Sequence, residues 1–279
     1  MGFVVFAKRF WRRKSAVLGL ALLLIVVLMA VAPSLFTQFG PYDQNILNRM
    51  QEPGGDHWLG SDNHGRDLWS RVVYGSRISL LVGIVAVSFS AVIGVSLGLF
   101  SGFFGGQIDR VIMMAVEIIM AFPMVLMAIS VMAVLGQGLT NMMVAIGIAG
   151  LPHFTRVVRG QVLSLKTMDF VHAAEAAGAG VGRILFIHIL RNSAAAIIVL
   201  ATMRVATAIL TESALSFLGL GVSPPTPTWG VLIADGKRFL QTAPWLSLTP
   251  GIAIMITVLA INLFGDGLRD VLDPRMKQR

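Results

Sequence analysis

Six stretches of this sequence are apolar over the length that a helix needs to cross a lipid bilayer, and this restricts the fold more than any other feature. A helix rises about 1.5 Å per residue and the hydrocarbon core is about 30 Å thick, so a span takes roughly 20 mostly apolar residues. The stretches are 17–36, 78–100, 111–135, 141–158, 194–218 and 248–264. The fourth is the most interrupted, by Gly147, Gly150 and Pro152, and His153 and Arg156 crowd its end. Hydrophobic residues make up 56% of the 279 positions and charged residues 13%, about half the charged share of a soluble domain. A soluble core this apolar would need a very large interior or a partner, so the bilayer is the expected solvent. The expected fold class is all-α, a polytopic membrane protein with six transmembrane helices.

The chain has no cysteine, which excludes disulfides, thiolate metal sites and cysteine nucleophiles. Its net charge of +8 could point to nucleic acid. The basic residues, however, flank apolar runs, which is the pattern of cytoplasmic anchoring, so the expected partner is the bilayer and not nucleic acid. The first stretch resembles a signal peptide, with basic residues between Lys8 and Lys14 and Ala30-Val31-Ala32 placed like a cleavage site. Its apolar run exceeds the about 7 to 15 residues of such a segment, and Pro33 obstructs cleavage, so it is read as a retained anchor. Ahead of it, Phe3, Phe6, Phe10 and Trp11 interleave with Lys8, Arg9, Arg12 and Arg13, as in a helix lying on the membrane surface.

Six spans put both termini on one side. That side carries about fifteen Lys and Arg, among them Lys14, Arg110, Arg156, Arg159, Lys166, Arg183, Arg191, Arg269, Arg275, Lys277 and Arg279, against about six opposite (Arg49, Arg66, Arg71, Arg77, Lys237, Arg238). The richer side is cytoplasmic by the positive-inside rule. Residues 37–76 and 219–247 then form external loops, and 159–193 form one large cytoplasmic loop. The chain divides into an N-terminal part, 1–76, with surface helix, first span and external loop, and a five-helix core, 77–279.

Within the cytoplasmic loop, residues 166–177 are good helix formers with Phe170, Val171, Ala174 and Ala177 on one face, and Gly178 offers a left-handed stop. A second apolar piece, 183–190, leads into the fifth span across Gly178, Gly180 and Gly182. Two short helices with a glycine turn outside the membrane make a knob for a soluble partner. A plain surface connector fits the same residues equally well.

The run Phe170-Val-His-Ala-Ala-Glu-Ala-Ala-Gly178, followed nine residues later by His188-Ile-Leu-Arg-Asn192, resembles the EAA signature of ABC importer permeases. The resemblance implies a coupling helix seated in a cleft of the ATP-binding subunit, with Phe170, Val171, His172, Ala173, Ala174, Glu175 and Gly178 as coupling residues. Ala173, Ala174 and Gly178 match the motif. His172 stands where the family usually has glutamate, and Arg191 where it usually has proline. Glu175, about 60° round the helix from His172, is the candidate substitute for the acidic contact.

Three further segments are similar to the dipeptide, oligopeptide and nickel permeases of the C-subunit type. They are 57–71 with the Tyr74-Gly-Ser-Arg-Ile-Ser-Leu80 that follows, Glu212-Ser-Ala-Leu-Ser-Phe-Leu-Gly-Leu-Gly-Val-Ser-Pro-Pro-Thr-Pro-Thr-Trp-Gly230, and the ending 262–274. The resemblance implies a type I importer permease (MetI-like) fold in a bacterial inner membrane, forming half of a translocation pathway. Implied partners are a second homologous permease, two ATP-binding subunits that bind ATP and Mg, and an external solute-binding protein. No cofactor is implied for this chain. Dipeptides, longer peptides, nickel chelates, opines and glutathione all use similar permeases.

Three charges stand out within the apolar stretches: Glu117, Arg204 and Glu212. Charges there are costly and face a cavity or partner, so each is a candidate for the pathway, with structural pairing as the rival. Arg204 and Glu212 lie about 12 Å apart along one helix and 80° round it, so Arg204 is expected to pair with another helix. After Glu117, Ala121-Phe-Pro123 is a candidate bend. Ser90, Gly94, Gly98 and Gly102 form a small-residue stripe that permits close helix approach, without identifying the neighbour. Trp58, Trp229 and Trp245 suit a membrane interface, on loops stiffened by Pro224, Pro225 and Pro227.

No phosphate-binding loop is present: residues 230–238 have the wrong spacing and lie on the external side. Gly178-Ala-Gly-Val-Gly182 follows no strand and is no dinucleotide fingerprint. His57 and His64 have no third ligand near them in sequence, so no metal site is expected, and no nucleophile stands with a base. The chain is therefore read as a non-catalytic subunit. A secondary transporter using Glu117 or Glu212 as a proton relay and a non-transporting scaffold are the alternatives.

Overall fold

The computed structural model describes residues 7, 8 and 10–272. Phe3, Phe6 and Arg9 of the expected surface helix, and the end of the chain including Asp273, Pro274, Arg275, Lys277 and Arg279, lie outside the described residues. Among those described, the structure is helical, with no strand beyond two isolated bridges in the first external loop. The principal helices are α1 (Lys14–Val31), α2 (Leu68–Phe104), α3 (Gly106–Met120), α4 (Met124–Leu135), α5 (Leu139–Leu165), α6 (Asp169–Ala176), α7 (Leu190–Phe217), α8 (Trp229–Gly236) and α9 (Trp245–Leu272).

By length and composition α1, α2, the continuous helix Val181–Phe217 and α9 are suited to cross a membrane. Helices α3 and α4 meet at 99° and together make up to a fifth span. Helix α5, which holds the fourth apolar stretch, falls short, so four or five of the six expected spans meet this criterion. Gly147, Gly150, Pro152 and Thr155 of α5 are all buried, so that its weakly apolar face meets protein instead of lipid.

Helix α5 lies closely along α2. A Cβ added at Gly98 would stand 2.7 Å from the Thr155 carbonyl oxygen and 2.8 Å from Val158 Cβ. One at Gly94 would stand 2.7 Å from Phe154 Cβ, and one at Gly102 2.7 Å from Val162 Cβ. Ser90 Oγ donates to the Gly147 carbonyl at 2.6 Å. The small-residue stripe therefore packs within the chain, and its neighbour is α5. At the end of this contact Arg159 holds Asp109 of α3 with two bonds, 2.6 and 2.7 Å, and Lys166 Nζ donates to the Gly102 carbonyl at 3.0 Å. Ser101 Oγ also donates to Asp109.

Two other boundaries depart from expectation. The first external loop ends at Asp67, since its carboxylate accepts from Ser70 N at 2.7 Å and caps α2 there. With 37 residues, α2 is about 55 Å long at 1.5 Å per residue, and its first turns stand clear of the hydrocarbon. The second short cytoplasmic helix is also corrected. Residues 181–190 run unbroken into α7 through a π-helical stretch, Ile184–Ile189, because no residue between Arg183 and Asn192 stops a helix. The Ala121–Pro123 bend is present. Ala121 N closes the last turn on Glu117 O at 2.9 Å, and Met127 N reopens the ladder on Pro123 O at 2.9 Å.

Helices α1 and α9 run together along the other side of the bundle, and Arg13 pairs with Asp270. The start of α1 and the end of α9 thus share one side. Phe10 is buried there, its ring 5.8 Å from that of Phe264, while Trp11 is exposed. Trp229 is corrected from interfacial anchor to core residue. It is 1% exposed, and its Nε1 donates to the Val72 carbonyl at 3.0 Å. Trp58 is exposed and Trp245 half-buried.

Ahead of α2, the loop between α1 and α2 closes on Asp62. Its Oδ2 accepts from Arg66 Nε and Arg71 Nη1, both at 2.7 Å, and its Oδ1 accepts from the backbone N–H groups of His64 and Arg66 at 2.8 and 3.0 Å. Burial by itself pushes the Asp62 carboxyl up, but these amides and the two guanidinium charges outweigh it and hold it below its ordinary 3.8. His57 Nδ1 meets Asp67 Oδ1 at 2.8 Å, and Asn48 Nδ2 meets His57 Nε2 at 3.2 Å. Both histidine nitrogens are therefore engaged by the loop itself.

Two outcomes are expected. Gly98→Leu lowers the thermal midpoint of the purified protein, by about 1–3 kcal/mol of overpacking, whereas Gly251→Ala, where an added Cβ meets nothing within 4 Å, leaves it unchanged. Equal midpoints would place the α2–α5 contact wrongly. Asp62→Asn strands Arg71 and costs about 3–5 kcal/mol at neutral pH. Since the folded carboxyl sits below 3.8, its contribution is complete above that pH and is lost as pH falls through the lower folded value. The gap between Asp62→Asn and the unsubstituted protein in denaturation should close on strong acidification.

Candidate functional site: a helical handle and three charges within the spans

The most completely specified feature outside the spans is α6. It begins after Met168, has Asp169 in its first turn, where a negative charge suits the helix dipole, and ends at Gly178 with φ +79°. Gly178 N bonds to Glu175 O at 2.9 Å and Ala179 N to Ala174 O at 3.0 Å, the paired bonds of a Schellman stop. The expected helix over 166–177 is thus shorter at its start, since Lys166 and Thr167 form a turn. A β-branched residue at Gly178 would be strained whatever space surrounds it.

One side of α6 is fixed. Val171 is fully buried among Leu99 of α2, Val158 and Val162 of α5, and Ile184, Leu185 and Ile189, with Phe170 and Ala179 packed against the same cluster. The other side is open. His172, Ala173, Glu175 and Gly178 are exposed, and Ala174 is half-buried. His172 Nδ1 lies 3.6 Å from Glu175 Oε2, both side chains exposed, a geometry that contributes little to stability. Met168, Val181, Phe186 and Ile187 add exposed apolar surface around it. The arrangement is a rigidly seated helix presenting a mixed apolar and charged face. The Arg159–Asp109 clasp and Lys166 brace its base, and sequence reading missed both. Neither is a local pattern, since the paired residues are 50 and 64 positions apart.

The three intramembrane charges have three different environments. Glu212 is 0% exposed and sits in a cage of hydroxyls. Ser216 Oγ and Thr228 Oγ1 donate to Oε1 at 2.8 and 2.9 Å, while Ser213 and Ser79 donate to Oε2 at 3.4 Å each. Thr228 also caps α8, accepting from Val231 N at 3.2 Å. Glu212 therefore ties α7, α2 and the start of α8 together. The one cue in sequence was a threonine directly before an apolar helix. Glu117 is exposed on α3. Arg204 is half-buried, and the expected inter-helix ion pair is absent among the described residues, where its Nη2 is buried without a hydrogen-bond partner. The helices around it place serine, methionine, glycine and alanine there, and no carboxylate. No cluster of potential metal ligands occurs among the described residues.

Residues 94–278 match the binding-protein-dependent transport system inner membrane component family, and residues 3–53 match the N-terminal transmembrane domain of oligopeptide transport permease C. The dipeptide transport system permease protein DppC of Alkalihalophilus pseudofirmus is 46% identical over 270 residues, covering 97% of this chain and 89% of that protein. The glutathione transport system permease protein GsiD of Pectobacterium atrosepticum is 43% identical over 277 residues, covering 97% and 91%. Among solved structures, the inward-facing MetNI methionine ABC transporter superposes with a TM-score of 0.60 at 20% identity, over 73% of this chain and 96% of that one, a likeness of fold. With a family match over most of the core and relatives aligned nearly end to end, the chain belongs to the permease subunits of binding-protein-dependent ABC importers, in the dipeptide and oligopeptide permease branch.

Proposed function

We propose that this chain is one half of the translocation pathway of an ATP-driven importer of small peptides, and that α6 is where an ATP-binding subunit grips it. The observation that carries the reading is the seating of α6: Val171 buried to 0% against α2 and α5, with His172, Ala173 and Glu175 left open to a partner. A load applied to such a helix passes directly into two long helices of the bundle instead of being absorbed by a loop. The peptide cargo is inferred from relatives named for dipeptide and glutathione transport. These relatives are ABC permeases and favour the ATP-driven reading over an ion-gradient one.

In the working assembly, a second, similar permease completes the pathway, two cytoplasmic subunits bind ATP and Mg, and an external protein delivers the solute. The side bearing α6 is cytoplasmic, together with both termini. The contact between Arg13 and Asp270 requires an even number of spans, and counting α3–α4 and α5 as one span each makes six. On this reading residues 1–76 are an accessory anchor and loop, and 77–279 the transporting core. The acidic contact that the family usually draws from glutamate is supplied here by Glu175, one turn on from His172.

Gly178→Val forbids the +79° turn and should cut ATP-linked uptake by the assembled transporter roughly tenfold, the worth of about 1–3 kcal/mol of strain, with membrane insertion intact. Undiminished uptake would remove the turn from the mechanism. Glu175→Gln should lower ATPase activity stimulated by the loaded delivery protein by roughly severalfold. Unchanged hydrolysis and transport would show that Glu175 makes no acidic contact with the ATP-binding subunit.

A further inference from the structure

Arg204 is the fifteenth of 28 residues in α7, so it sits about 20 Å from either end of that helix at 1.5 Å per residue. A guanidinium at that depth is retained only where it meets an anion or water-filled space. The other buried charges have their partners: Glu212 its four hydroxyls, Asp62 its two arginines. Arg71 has a solitary Nε, but its Nη1 is paired with Asp62. Arg204 has no carboxylate among the described residues. Its nearest polar neighbour in the cleft, Ser90, directs its hydroxyl to the Gly147 carbonyl at 2.6 Å.

The cleft it lines is narrow, about 10 Å³, and bounded mostly by apolar side chains, Val87, Met124, Ile146 and Phe154 among them. Small residues Gly150 and Ala208 face it, and Met124 closes one side. Met124 is the first residue of α4, directly after the 99° break at Ala121–Pro123. An unbranched thioether at a hinge yields more readily than a branched side chain. Arg204 itself is half-buried, with Nη2 turned inward, so a ligand reaching the bundle surface can meet its outer face. A planar fork of donors fits a carboxylate with two parallel bonds. The peptides assigned above all carry one, ionised at neutral pH.

We propose that Arg204 receives the carboxylate of the peptide in transit, when movement of α4 about the Ala121–Pro123 break opens the cleft. This rests on the importer reading and adds to it the group that recognises the negative end of the cargo. Because no described residue of this chain pairs with the charge, it can hold the anion during passage without an intrachain rival.

The experiment uses the complete reconstituted transporter with its delivery protein in liposomes and compares ATP-driven uptake of alanyl-alanine with that of alanyl-alaninamide. Any discrimination by the delivery protein is common to the unsubstituted transporter and the variants, and cancels when the ratio of the two uptakes is compared. Arg204→Gln and Arg204→Met should reduce uptake of the free acid roughly tenfold or more, the worth of one charge-assisted pair, and change uptake of the amide less than about twofold. Arg204→Lys should fall between, as it keeps the charge and loses the fork. Uptake of the amide also reports that each variant is folded and inserted. If acid and amide decline together in every variant, Arg204 is a structural residue and the proposal is overturned. If the unsubstituted transporter moves neither probe with ATP, the importer reading fails and takes this proposal with it, a result distinct from the first.

Discussion

The near-contact of α2 and α5 is the constraint on which the rest of the molecule depends. Lipid offers helices no hydrophobic reason to associate, so attraction inside a membrane comes from backbones brought close enough to gain dispersion and polar contacts along their length. Gly94, Gly98 and Gly102 allow this approach, and Ser90 adds a hydroxyl bond to Gly147. Everything with a functional claim is mounted on that pair. The Arg204 cleft opens beside its middle, the Asp62 network stands ahead of α2, and α6 rests on the opposite end through Val171, Leu99, Val158 and Val162.

A second principle organises the polar groups. A buried charge left alone is far more costly than one that is satisfied, and the chain answers this in two ways. Glu212 draws donors from α7, α2 and the start of α8 and so staples them together, while Asp62 is enclosed by its own loop and by Arg71 in the first turn of α2. Arg204 is not enclosed. The same reasoning that makes the first two structural makes the third the place where a passing anion would be held.

The proposed coupling mechanism follows from stiffness. A Schellman stop fixes the end of α6, an apolar side chain fixes its inner face, and the Arg159–Asp109 clasp joins α5 to α3 directly beneath. The π-helical stretch Ile184–Ile189 then carries the chain without a break into α7. Movement imposed on the exposed face of α6 therefore reaches several helices together. At the Ala121–Pro123 bend proline removes a ladder bond and the helix turns by 99°.

Much of this was legible in residue order, since it rests on local chemistry. Apolar runs of bilayer length, a glycine that alone tolerates φ of +79°, a small-residue stripe with a period of four, and a proline in a span each act over a few positions. They dictate a helical membrane protein, a short helix with a hard stop, a close helix contact and a bend. What lay beyond the sequence were pairings between residues far apart in the chain. The partner of the stripe proved to be α5, Trp229 went into the core and not to the interface, Glu212 found Thr228 and Ser79, and Arg204 found no carboxylate among the described residues. Residue order determines which segments become helices and which side chains need satisfying, because those depend on neighbours along the backbone. Only the tertiary structure decides which partner satisfies each one, because in a packed bundle that depends on which helix faces which.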